Sequence, residues 1–133
     1  MKKLFTSCIF SLLLLSVSCS DYSENLGKGY TYVCEGKGNN SIFHEYPSKG
    51  GQIPPDVISY DYDKDFIIVK QKPQLQQYGY EAEGEYNNRN EDGVFYYWLI
   101  DKKRYKTIGP MDSLEFVQTR KKYYVSEKLN LNK

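Results

Sequence analysis

The segment VFYYWLID, Val94 to Asp101, decides how this chain must fold. Alternate residues of an extended strand point to opposite faces, so Phe95, Tyr97 and Leu99 form one row and Val94, Tyr96, Trp98 and Ile100 the other. Neither row is polar. A strand of this kind needs cover on both sides and belongs in the middle of a sheet. DFIIVKQK, Asp65 to Lys72, opens the same way, with Phe66 and Ile68 opposite Ile67 and Val69, before turning polar at Lys70 and Gln71. These two are the predicted central strands. Trp98 is accordingly predicted to be a core residue whose truncation to alanine costs about 3–5 kcal/mol.

Outward from this pair, YTYVCE, SIFHEY, VISYDY and RYKTIG are short runs rich in aromatic and β-branched residues. Between runs lie GKGNN, PSKGGQIPPD, DYDKD and NNRNEDG, whose residues tolerate or impose turn geometry. That spacing predicts antiparallel strands. After Gly109-Pro110, Asp112 followed three residues later by Glu115 makes a capping box. Leu114, Val117, Lys121 and Tyr124, flanked by Phe116 and Tyr123, give an apolar stripe at helical spacing. The expected fold class is therefore α+β: a single antiparallel β-sheet of about five or six strands with one C-terminal helix, about residues 113–123, packed against it. The closing EKLNLNK reads as a short edge strand or as a trailing end.

The N-terminus has the layout of an export signal. Met1-Lys2-Lys3 is positively charged, Leu4 to Leu15 is apolar, and Ser16-Val17-Ser18 supplies the small residues that a signal peptidase accepts. Residues 1–18 are read as a signal peptide. Cys19, directly after them, resembles the lipobox cysteine of bacterial lipoproteins, although Ser16 stands where that motif prefers leucine. The resemblance implies that Cys19 becomes the first mature residue and carries diacylglycerol and an acyl chain such as palmitate. Ordinary secretory cleavage would also fall after Ser18, yet it leaves a cysteine at the mature N-terminus with no evident use. Residues 19–28, ending in the polar DYSENLGK, are expected to be the lipidated N-terminus and a tether, and residues 29–133 a single globular domain. The expected location is the cell envelope, lipid-anchored. With Ser20 rather than aspartate after the cysteine, the outer membrane is favoured in a Gram-negative host.

Of the three cysteines, Cys8 leaves with the signal and Cys19 is the lipidation site, so Cys34 stands alone and the fold must do without an internal disulfide. Removing residues 1–18 leaves 115 of the 133, enough for one core. Loss of Lys2 and Lys3 sets 16 basic against 17 acidic side chains, a net charge of −1. That balance offers no electrostatic footprint for nucleic acid.

The segments IPPDVISYDYDKDFIIVKQ, YYWLIDKK and GPMDSLEF together resemble a family of small bacterial lipoproteins of unknown function, over Tyr30 to Val125. Met111 stands where that family usually has leucine. The resemblance implies a shared fold and no assigned activity.

Catalytic chemistry is thinly represented. His44 is the only histidine and falls on a predicted strand, and no G-x-S-x-G elbow is present. Cys34 with His44 across a hairpin is the one nucleophile–base pair to be considered. Asp61, Asp63 and Asp65 open like a calcium loop, but Phe66 replaces its glycine and Lys72 its bidentate glutamate, so a solvated turn is expected. Glu81, Glu83 and Glu85 alternate likewise, and a solvent-facing edge explains them. The chain is read as no enzyme, without cofactor or metal. Its 14 tyrosines, paired at Tyr30/Tyr32, Tyr60/Tyr62 and Tyr78/Tyr80, offer flat amphipathic surfaces for a protein or glycan partner. Tyr78, Tyr80 and Tyr86, within the polar stretch 72–93, are the candidate anchors. The expected role is a noncatalytic envelope lipoprotein that binds such a partner. The alternative is an immunity or inhibitor lipoprotein that neutralises an envelope toxin or hydrolase.

Overall fold

The computed structural model describes residues 21–36, 38–46, 52–73 and 94–133. In chain order the elements are β1 (Tyr22–Gly27), β2 (Tyr30–Cys34), β3 (Asn40–His44), β4 (Val57–Tyr62), β5 (Phe66–Gln71), β6 (Tyr96–Asp101), β7 (Lys106–Met111) and α1 (Ser113–Lys122). All strand pairings are antiparallel, as predicted, but they form two sheets instead of one: β1-β2-β3 and β4-β5-β6-β7. The β3 and β4 runs do not pair as neighbouring strands. Among the described residues, the isolated bridge from Ile42 to Ile53 is all that extends the first sheet.

The two-sided character of β6 explains the arrangement. With β5 it occupies the centre of the four-stranded sheet. Ile67, Val69, Trp98 and Ile100 point to one side, where Leu26, Tyr30, Ile42, Ile53 and Val57 meet them. Ile68 and Leu99 point to the other, against Met111, Phe116, Val125 and Leu129. The order of layers is therefore three-stranded sheet, four-stranded sheet, helix with C-terminal tail. Each fully buried aliphatic side chain in this double core contributes about 1.5–3 kcal/mol.

Two expectations are corrected and one open alternative is decided. The stretch read as a tether is strand β1, because Glu24 and Leu26 point inward while Ser23 and Asn25 face water, and Leu26 is fully buried. Its polarity reflects one solvated face and one inward acid that finds partners. Helix α1 has the predicted capping box, the Asp112 carboxylate accepting from the Glu115 N–H and the Glu115 carboxylate from the Asp112 N–H. It packs, however, by Phe116 and Tyr123, and leaves Leu114, Val117 and Tyr124 exposed. Phe116 stacks on Tyr97 with centroids 5.0 Å apart. Finally, EKLNLNK adds no strand: Leu129 is buried over the second core, and the Arg120 guanidinium holds the tail by donating to the carbonyls of Ser126 and Leu129, each at 2.9 Å.

Candidate functional site

The strand tyrosines lie mostly inside. Tyr30 is fully buried with its ring edge-on to His44, 4.6 Å between centroids. Tyr32, Tyr60 and Tyr62 are half-buried along the seam between the two sheets, with the Tyr32 and Tyr60 rings 4.4 Å apart. Glu24 of β1 crosses that seam. Its carboxylate accepts from the Tyr60 hydroxyl and, at 2.8 Å, from the Tyr62 hydroxyl, tying the sheets together. Burial and the Glu24 carboxylate raise the Tyr60 pKa; the bond to Glu24, then burial, raises that of Tyr62. Both phenols are thus neutral donors with a structural task. At the foot of the seam Lys102 is only 2% exposed, and its ammonium donates to the Leu26 carbonyl at 2.5 Å. Burial lowers its pKa, against the opposing pull of Asp63 and Asp65. Sequence reasoning passed over Glu24 and Lys102, since a single acid in a polar stretch and a lysine in a turn carry no local signal of burial.

The residues singled out for chemistry do not converge. The β2–β3 register sets His44 opposite Tyr30 and Cys34 opposite Asn40, so the nucleophile–base pair is separated by four strand residues, about 13 Å. Both His44 nitrogens are engaged by the backbone: Nε2 lies 2.8 Å from the Lys28 carbonyl, and Nδ1 lies 2.9 Å from both the N–H and the carbonyl of Tyr46. The Asp63 carboxylate accepts from the N–H groups of Asp65 and Phe66 and closes the β4–β5 turn, while Asp61 holds the tail through Asn130 and Lys133. Among the described residues no three histidine, cysteine or acidic side chains group to hold a metal. Cys19, the glutamates 81, 83 and 85, and Tyr78, Tyr80 and Tyr86 lie outside the described residues.

What the structure does present is the outer side of α1. Leu114, Val117 and Tyr124 are 66%, 48% and 90% exposed and follow one another at helical spacing. Beside them an open groove of about 540 Å³ is lined by Val117, Arg120, Lys121, Tyr124, Val125 and Glu127. The helix end is unusual. Tyr124 has φ +54°, in the left-handed region, and sits just past the C-cap Tyr123. The Tyr124 N–H donates to the Lys121 carbonyl and the Val125 N–H to the Arg120 carbonyl, a complete Schellman closure. Glycine is the usual occupant of that position, because it alone lacks the Cβ that clashes there.

The described residues that hold these features form an antiparallel two-sheet domain backed by one helix, in which no three histidine, cysteine or acidic side chains group as metal ligands. The model of a family described as protein of unknown function (DUF3997) matches residues 27–133, and the chain belongs to that family. No curated protein and no solved structure gave a significant match. Among the described residues no helix is long and apolar enough to cross a membrane.

Proposed function

We propose that this chain is a noncatalytic lipoprotein of the cell envelope, anchored through Cys19, that binds a protein partner on the outer side of α1. The observation that supports the reading is Tyr124. A left-handed conformation costs a non-glycine residue about 1–2 kcal/mol, and glycine would remove that cost. A ring that is 90% exposed recovers nothing by burial within the domain. An interface does recover it, since tyrosine is a preferred anchor of protein–protein contacts. Leu114 and Val117 extend the apolar centre, and Lys121 and Lys122 supply a basic rim that suits a partner with acidic edges.

The test compares the wild type with Tyr124→Gly. The glycine variant is expected to melt at the same or a higher temperature while losing about tenfold or more in partner affinity. A photo-reactive side chain at position 121 identifies the partner in intact cells. No adduct from the wild type, or an equal adduct from Tyr124→Gly, would sink the proposal. The anchor is tested separately: Cys19→Ser should lose fatty-acid labelling and leave the membrane fraction.

A further inference from the structure

We propose that the outer face of the β1-β2-β3 sheet lies directly on the bilayer that carries the Cys19 lipid, with the α1 face turned away from it. The inference rests on the lipoprotein reading above and adds an orientation to it. Its first support is chain length. β1 begins at Tyr22, three residues beyond Cys19, and three residues span at most about 11 Å even when fully extended. The headgroup layer of one leaflet is itself about 5–8 Å deep. A lipid buried at position 19 therefore holds the Tyr22 end of β1 at the surface.

The second support is the chemistry of that face. Because Glu24, Leu26, Tyr30, Tyr32, Ile42 and His44 point inward, the outward side chains of the three strands form two cross-strand rows. The register makes these Ser23–Val33–Ser41 and Asn25–Thr31–Phe43. None of the six is charged, in a chain whose residues are 26% charged. Such a face settles among headgroups without stripping water from an ion. Val33 and the 38% exposed Phe43 offer it apolar contact at the interface. The one acid on β1, Glu24, is spent inward on Tyr60 and Tyr62. The leash selects the bilayer over a second copy or a soluble partner as the occupant, since it brings the membrane to this sheet before anything else can reach it. Stacked layers are about 10 Å apart, so α1, beyond the four-stranded sheet, stands about 20 Å further out and remains open to a partner.

The experiment uses the full-length protein expressed in its host, purified from membranes and reconstituted into phosphatidylethanolamine–phosphatidylglycerol vesicles containing headgroup-spin-labelled lipid. Phe43→Trp reports on the outer sheet face and Tyr124→Trp on the helix; Trp98 is a constant, buried background. Flotation with the vesicles tests the anchor, and quenching tests the orientation. The expected result is flotation of both variants, with the added emission at position 43 lost and that at position 124 kept. Val33→Trp, on the adjacent strand of the same face, replaces Phe43→Trp if the latter does not fold. Flotation with position 43 unquenched, or with both positions quenched alike, overturns the orientation and leaves the anchor standing. Failure of the wild type to float overturns both.

Discussion

Trp98→Ala is the perturbation whose cost follows most directly from the structure. Trp98 is 8% exposed, and its indole N–H donates at 2.7 Å to the side-chain oxygen of Gln71, itself 1% exposed. Truncation removes the indole from the inter-sheet core, which costs about 3–5 kcal/mol for a large aromatic. It also leaves the Gln71 oxygen buried without a donor, a penalty of about 1–3 kcal/mol. The two overlap as the site relaxes, so we expect about 4–6 kcal/mol in total. At about 0.05–0.15 kcal/mol per residue, a domain of this size has roughly 6–17 kcal/mol to lose. Trp98→Phe separates the contributions: it keeps most of the ring and loses the N–H, for about 1–3 kcal/mol. Because Trp98 is the only tryptophan, urea midpoints are followed by far-ultraviolet circular dichroism instead of emission. A loss below about 1 kcal/mol for Trp98→Ala would refute the burial and packing argued here.

Gly109 has φ +141°, and a Cβ there would lie 2.7 Å from the Trp98 indole; Gly109→Ala should therefore lower the urea midpoint, by about 1–3 kcal/mol in stability, and shift the Trp98 emission. Glu24→Leu deprives two half-buried phenols of their acceptor and should cost about 1–3 kcal/mol by the same denaturation assay. In the wild type the Tyr60 and Tyr62 pKa values are raised above 10.0, so folding retains protons there; stability is complete below pH 10.0 and falls as the pH rises beyond it, which alkaline melts will show. Asp61 has the opposite sign. Burial pushes its pKa up, but the Lys133 ammonium and the N–H groups of Asn130 and Tyr62 outweigh that and hold it below 3.8, so its contribution is present above pH 3.8 and lost as the pH falls below. The protection factor of the Asn130 amide, whose N–H donates to Asp61, should fall on acidification before the sheets open.

The candidate site was legible only in part. Chemistry-bearing residues were easy to see and did not converge, because the β2–β3 register separates Cys34 from His44 by the length of a strand. The exposed helix side was missed because Leu114, Val117 and Tyr124 have the spacing of a buried stripe. Nothing local says that Phe116 and Tyr123 form a second, competing apolar side. Tyr124 in a left-handed position was equally hidden, since no glycine or asparagine announced the end of the helix.

Features settled within about ten residues could be read from the chain alone. The two-sided apolar run Val94 to Asp101 required a central strand, turn clusters separated antiparallel neighbours, and Asp112 with Glu115 started a helix at Ser113. Each of these rests on alternation, turn chemistry or capping, which neighbouring residues decide among themselves. The division of the strands into two sheets, the strand supplied by DYSENLGK and the choice of the buried side of α1 emerge only in the folded molecule. Those outcomes depend on competition among distant segments for one core. Leu26 and Glu24 become inward residues only once Ile67, Trp98, Tyr60 and Tyr62 are there to receive them, and Phe116 prevails over Leu114 only because Tyr97 offers it a ring to stack on. Local sequence holds no record of partners that lie tens of residues away along the chain.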